Sequence, residues 1–306
     1  MSTATVSRVL NGIGVRHDLA EAVRRAVQEL DYSPSRAARS LRRQVGEVIA
    51  LILPDIENPY FTSLARGVED VAQMHGFSVV LCNSDDDVTK EQRYLKIAIS
   101  ERMAGVIIAP AGATTSVSCL TELRQSVVVV DRVVDEDVDH VIEDNDGVAR
   151  RAVDLLLARG FTRIACITGP ESTITARERA AGWRAQMLER GLAAPDELLV
   201  YANFRVDGGR AAISRLLELP ERPQAVLATN NLVAVGALQV LAERGGLPRT
   251  IQVGILGELP FATSSTSDIS IVPLHPREMG LTAARLLMER VSGVAGPHGM
   301  RIVLPV

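Results

Sequence analysis

The run Val48-Ile49-Ala50-Leu51-Ile52-Leu53, stopped by Pro54-Asp55, is six apolar residues ending at a strand breaker. It reads as a buried β-strand. Outward from it the pattern alternates. Over Tyr60–His75 apolar residues recur at 61, 64, 68, 71 and 74, a helical spacing, and Gly76 suits the C-cap. Ser78–Cys82 reads as a second strand, Asp86–Arg102 as a second helix, and Gly105–Ala109 as a third strand closed by Pro110. Residues 163–230 repeat the order: strand Ile164–Thr168, helix Ala176–Arg190 ended by Gly191, strand Leu198–Tyr201, helix Gly208–Leu219, strand Ala225–Thr229. Two βαβαβ units in tandem imply two similar α/β lobes, each a mainly parallel sheet covered by helices.

Ligands of such sheets sit beyond the carboxyl ends of the strands. The loops that follow Leu53, Cys82, Ala109, Val130, Thr168, Tyr201, Thr229 and the strand near Ile255 are therefore where a site is expected. They hold Asp55, Asn58, Tyr60 and Phe61, then Asn83 and Asp85, Asp131 and Arg132, Thr175, Arg177 and Arg179, Phe204, and Asn230-Asn231. Carboxylates, amides and guanidinium groups around aromatic faces suit a polyhydroxylated or heterocyclic small molecule.

Composition narrows the function classes. Of 306 residues, 47% are hydrophobic and 23% charged, but only 3% are aromatic, so a sizeable core of Ala, Val, Leu and Ile is expected. No apolar run approaches the roughly 20 residues of a membrane span, so no membrane partner is expected. The N-terminus lacks a basic-then-apolar stretch, and Cys82, Cys119 and Cys166 form no CxxC pair; both features fit a reducing cytoplasm. No GxxxxGK[ST] or GxSxG run is present, and Gly12-Ile13-Gly14 opens no suitable helix. The five histidines have no metal-ligand spacing. No catalytic residues, metal site or cofactor are expected.

The net charge of −4 hides an asymmetry. Residues 1–45 hold eight arginines against four carboxylates, a basic head on an acidic body, as for a segment that meets a polyanion. Ser2–Leu10 reads as a short helix whose Thr and Ser side chains are small enough to enter a major groove about 12 Å wide, with Arg8 able to reach a guanine edge. Asp18–Leu30 reads as an amphipathic helix with Leu19, Ala22, Val23, Ala26, Val27 and Leu30 on one stripe and Asp18 capping its start. A short third helix fits 34–43, capped by Ser33 or Ser35. Its Leu41, exposed among arginines, makes sense as an apolar wedge between base steps of a minor groove.

Taken together, Thr3-Ala4-Thr5-Val6-Ser7-Arg8-Val9-Leu10-Asn11-Gly12 and Asp31-Tyr32-Ser33-Pro34-Ser35-Arg36-Ala37-Ala38-Arg39-Ser40-Leu41-Arg42 resemble the head and hinge of the LacI/GalR (lactose-repressor) family. The likeness continues through Pro54-Asp55-Ile56-Glu57-Asn58-Pro59-Tyr60-Phe61, Val130-Asp131-Arg132, Gly169-Pro170, Arg179-Ala180-Ala181-Gly182-Trp183, Asn230-Asn231 and Val235-Gly236-Ala237. It implies two Rossmann-like lobes of the type I periplasmic-binding-protein kind behind a helix-turn-helix head and hinge helix. It implies a head over 1–45 with a hinge helix at 34–43, a first lobe over 46–145 and 275–299, and a second over 146–274 and 300–306. It further implies a homodimer on double-stranded operator DNA and a small-molecule effector between the lobes. Thr3, Ala4 and Arg8 match base-reading positions; Thr5, Ser7 and Asn11 match phosphate contacts or packing; Leu41 matches the minor-groove wedge, with Arg36, Arg39 and Arg42 on phosphates. Tyr60, Phe61, Asp131, Thr175, Arg179, Phe204 and Asn230 match positions lining the effector cleft.

Two departures stand out. The family has a further helix before the recognition helix, and this sequence begins at the turn; a start codon assigned too far downstream is the expected reason. The apolar face of residues 5–10 is then expected to lack a partner, leaving the head poorly ordered. Secondly, where the family has Gly-Phe-Asp-Asp, here stands Gly254-Ile255-Leu256-Gly257-Glu258-Leu259-Pro260. Glu258 is the only carboxylate there and joins the effector candidates, with the register open by one residue, and Asn231 stands where Asp is usual. A headless cytoplasmic small-molecule binder and a periplasmic-type sugar receptor are the alternatives.

Overall fold

A computed structural model describes residues 2–10, 14–30, 46–244, 251–259 and 269–305. It comprises two compact units, Met1–Gly46 and Glu47–Val306.

In the first unit, α1 (Thr3–Leu10) packs on α2 (His17–Glu29). Val6 and Val9 are half-buried, so the face expected to lack a partner has one in α2. The apolar stripe of α2 is narrower than expected: Ala20 and Val23 are buried, while Ala22, Ala26 and Leu30 are exposed. Asp18 does not cap α2. Arg16 holds the N-cap position, and the Asp18 carboxylate instead accepts from its guanidinium at 2.5 Å. The side chains of Thr3, Ala4 and Ser7, and all of Asn11, Arg36, Arg39, Leu41, Arg42 and the expected hinge helix at 34–43, lie outside the described residues.

The second unit holds two sheets. The first lobe runs β1 (Val48–Leu53), α3 (Pro59–Met74), β2 (Ser78–Asn83), α4 (Val88–Ser100), β3 (Gly105–Ile108), α5 (Ser118–Thr121), β4 (Ser126–Val130) and β5 (Asp139–Glu143). The second runs α6 (Asn145–Ala158), β6 (Ile164–Thr168), α7 (Ile174–Glu189), β7 (Leu199–Tyr201), α8 (Val206–Leu217), β8 (Ala225–Ala228), α9 (Asn231–Glu243), β9 (Gln252–Leu256) and β10 (Ile269–Val272). The chain then returns to the first lobe through α10 (Pro276–Ser292) and β11 (Arg301–Leu304). Strand order is β11-β5-β4-β3-β1-β2 in one sheet and β10-β9-β8-β6-β7 in the other, every neighbouring pair parallel. Such strands are covered on both faces, which is why they read as continuous apolar runs rather than alternating ones.

The terminal strand corrects one expectation. Residues 300–306 were expected in the second lobe, but Arg301–Leu304 pairs in parallel with His140–Glu143 of the first sheet. A network around one buried carboxylate holds the strand there. Asp139, whose side chain is fully buried, accepts from Arg290 Nε and Nη2 at 2.7 Å each and from the Met300 N–H at 2.8 Å. That network ties α10 and the approach to β11 onto β5.

Two pairs of glycines set the helix packing. A Cβ on Gly67 of α3 would strike the Arg277 carbonyl, and one on Gly280 of α10 the Leu64 carbonyl, so these helices meet backbone to backbone. Gly209 of α8 and Gly236 of α9 do the same in the second lobe.

Candidate functional site

The carboxyl ends of both sheets open on one cleft of about 780 Å³ within the second unit. All eight side chains singled out for it, Tyr60, Phe61, Asp131, Thr175, Arg179, Phe204, Asn230 and Glu258, line that cleft. The first lobe supplies one wall and the second lobe the other, and the chain crosses between them at 143–145 and 272–276.

On the first wall, Asn58 caps α3 by accepting from the Tyr60 N–H at 3.0 Å, which fixes the turn carrying Tyr60 and Phe61. Their rings meet edge to face at 5.2 Å. Burial, reinforced by the charges of Asp131 and Glu143, pushes the Tyr60 hydroxyl well above its ordinary pKa, so it stays a neutral donor. Asp131 follows β4 in a left-handed conformation, φ 64°, which is costly for a side-chain-bearing residue and is typical of sites where geometry is imposed. Its neighbour Arg132 also lines the cleft, and its Nη1 donates to the carbonyls of Pro110 (2.7 Å) and Ala111 (3.1 Å) and to Asp86 (3.1 Å). Arg132 Nε lies 3.6 Å from Asp131. Arg132 thus braces the loop and Asp131 faces the cavity.

On the second wall, Arg179 is held at two of its nitrogens. Nε donates to Asn145 Oδ1 at 2.8 Å and Nη1 to the Thr229 carbonyl at 2.7 Å. Thr229 is itself locked, its hydroxyl bonded to that of Thr168 at 2.9 Å. A planar guanidinium held at Nε and at Nη1 presents its remaining N–H groups in a fixed direction. The Phe204 ring packs against Gly169, where any Cβ would collide with it. Asn230 caps α9, accepting from the Val233 N–H at 3.0 Å.

At the β9 end, Gly257 is buried in the wall with φ 101°, and Glu258 is exposed at the rim. Three polar residues flagged among the loops stand outside the wall. Asn83 and Asp85 bond each other at 2.6 Å, with Lys90 on Asp85, and Arg177 donates to the Glu171 carbonyl. Three residues that sequence reasoning missed matter here. Arg205, from the second lobe, reaches to 4.0 Å of Asp55 on the first. Glu143 and His275 stand at the two crossings, where the His275 N–H donates to Glu143 Oε1 at 2.7 Å. No local pattern signals pairs so far apart in the chain. Among the described residues no cluster of His, Cys, Asp and Glu could hold a metal ion, and no helix is long and apolar enough to cross a membrane.

Glu143 carries a testable cost. Its Oε2 and the His275 Nδ1 are both buried without hydrogen-bond partners, 3.8 Å apart. Burial, the largest influence, raises the Glu143 pKa. The fold therefore holds this proton more tightly than the unfolded chain does, and the stability this group contributes falls as pH rises through the ordinary carboxylate range towards the raised value. Glu143→Gln keeps the acceptor for His275 and removes the charge. It is expected to raise the melting temperature at pH 7.5 by about 2–4 °C, the equivalent of about 1 kcal/mol, and to give no gain at pH 4. A lower melting temperature at pH 7.5 would contradict this.

A family model described as periplasmic binding proteins and sugar binding domain of LacI family matches residues 46–304. The ribose operon repressor of Halalkalibacterium halodurans is 35% identical over 296 residues, covering 95% of this chain and 87% of that protein. Among solved structures, a transcriptional regulator CelR–cellobiose complex superposes with a TM-score of 0.77 at 29% identity, covering 100% of this chain and 94% of that one. The lac repressor dimer bound to operator and an anti-inducer superposes with a TM-score of 0.87 at 21% identity, covering 99% and 93%, a likeness of fold.

Proposed function

The chain belongs to the LacI family with its periplasmic-binding-protein-like ligand-binding domain, a family of regulators and not of enzymes, and from that premise we propose that it is a ligand-responsive transcriptional repressor. It binds a pseudo-palindromic operator as a homodimer in the cytoplasm and takes a sugar or related metabolite in the cleft. The observation that carries this reading is the convergence of eight side chains, from two lobes and six separate loops or helix starts, on one cavity of about 780 Å³. That volume suits a small metabolite. A carbon skeleton fits between the faces of Tyr60, Phe61 and Phe204, with hydroxyls on Asp131, Arg179 and Asn230. The names of the relatives, a ribose operon repressor and a cellobiose-bound regulator, support the same class of ligand.

For the DNA side, Arg8 is exposed on α1 while Val6 and Val9 are half-buried, as in a helix that packs on one face and presents the other. For the dimer, the edge strand β2 leaves Val80 and Leu81 exposed, an unpaired apolar strip that a second copy would cover. Ligand closes the two lobes about their crossings and so changes the spacing of the two hinges. Coupling of this kind is typically about 1–3 kcal/mol and reciprocal between DNA and effector.

Selection of duplexes from a random pool by the full chain, read by fluorescence anisotropy, is expected to yield a two-fold symmetric site. Its affinity should fall with salt as phosphate contacts are screened. Leu41→Ala is expected to weaken that site about tenfold or more, without altering binding in the cleft. Equal operator affinity of the two proteins would refute the wedge role. Recovery of no preferred sequence would leave a small-molecule binder that does not act on DNA.

A further inference from the structure

The first wall of the cleft carries both signs of charge, Arg66, Arg132 and Arg277 beside Asp55, Asp86, Asp131 and Glu278. The buried carboxylates, Asp55 and Asp131, are both on the first wall. The second wall offers Arg179, the amides Asn230 and Asn231, and Thr175; its only carboxylate, Glu258, is exposed at the rim.

Most of these charges are matched within the protein. Arg132 faces Asp86 at 3.1 Å and Asp131 at 3.6 Å, and Arg205 faces Asp55 at 4.0 Å. Arg179 is the exception. It is 5% exposed, and it makes no ion pair among the described residues. Its two hydrogen bonds go to neutral oxygens, Asn145 Oδ1 and the Thr229 carbonyl, which orient the group without neutralising it. Glu143 is the carboxylate whose charge Arg179 attracts, but it forms no ion pair with it: Oε1 accepts from the His275 N–H, and burial outweighs the attraction and opposes ionisation. A buried guanidinium without a counter-charge is unfavourable, and an anion delivered by a ligand relieves it.

The wall beside it is also open. A Cβ on Gly257 would find nothing nearer than Leu274 at 3.9 Å and Asn231 at 4.0 Å. The space in which a protein carboxylate could stand is left to the ligand.

Resting on the reading of this cleft as the effector site, we infer that the effector is a polyhydroxy acid, its hydroxyls donating to Asp55 and Asp131 and its carboxylate seated on Arg179. A monovalent carboxylate matches the single unmatched charge and the planar edge of one guanidinium. A phosphate ester, near two negative charges at neutral pH, would need a second free cation, and the other guanidinium groups of the cleft each face a carboxylate: Arg66 and Arg277 pair with Asp70, Arg132 with Asp86, and Arg205 approaches Asp55.

Isothermal titration of the full chain with D-ribose, D-ribonate, D-glucose, D-gluconate and ribose 5-phosphate tests this. The expected result is that an aldonate binds at least about tenfold tighter than its parent sugar, with the gap narrowing as salt is added. Asn231→Asp, which places a carboxylate on the second wall without a change of shape, is expected to remove most of that gap. A parent sugar that binds as tightly as its aldonate overturns the inference and leaves the cleft as a sugar site. A preference for the phosphate overturns the carboxylate. If none of the five binds, the inference falls together with the reading of the cleft on which it rests.

Discussion

Arg179→Ala is expected to lower affinity for the cleft ligand by about 100-fold, close to 3 kcal/mol. The size follows from the geometry. The guanidinium is buried, pinned by Asn145 and the Thr229 carbonyl, and presents its remaining N–H groups to the cavity at no cost in ordering. Alanine removes the donors and lets water into the wall. Lysine is not expected to rescue the loss, because one ammonium cannot reach both anchors and still face the ligand. Calorimetry with whichever of D-ribose and D-ribonate binds the parent protein more tightly measures the effect. Affinity retained within threefold would remove Arg179 from the site. The Leu41 substitution has the opposite profile, so the pair separates ligand binding from DNA binding.

The second large effect is on stability. Asp139→Ala is expected to cost about 3–5 kcal/mol, with a fall in melting temperature of about 10 °C. Asp139 answers two nitrogens of Arg290 and the Met300 N–H, all from positions more than 150 residues away in the chain. Its removal leaves the half-buried Arg290 guanidinium with only the Gly296 and His298 carbonyls, leaves the Met300 N–H without its acceptor, and frees the approach to β11. Hydrogen exchange resolves the mechanism: amides of 301–304 should lose protection ahead of the neighbouring β4. Uniform loss across both sheets would instead mean that the pair stabilises the fold as a whole.

The apolar runs made the two lobes legible, because a strand covered on both faces is a continuous hydrophobic word in the sequence. Val48–Leu53 and Ile164–Thr168 are observed with the bounds read from it. Helix ends moved by one to two residues, as at Pro59–Met74 and Ile174–Glu189. That the cleft lies at the loop end of the strands followed from parallel sheets, but which loop residues line it came from the family resemblance, since the loop argument alone also picked Asn83, Asp85 and Arg177, which stand outside the wall. What was not legible depends on contacts between distant segments. Arg301-Ile302-Val303-Leu304 would suit an edge of either sheet, and only Asp139 and Arg290 decide which. Asp18 looked like a cap because of where it stands, yet Arg16 was near enough to claim it. Arg205, Glu143 and His275 carried no local signal at all.

The approach of Arg205 to Asp55 joins opposite walls of the cleft, groups 150 residues apart on lobes linked, among the described residues, by two short crossings. At 4.0 Å, with the arginine exposed, the pair is a weak contact that yields to a ligand at little cost. Closely related complexes differ mostly in how long they last rather than in how fast they form. On the proposed reading of the cleft, a contact between its two walls bears on how long a ligand stays rather than on how fast it arrives.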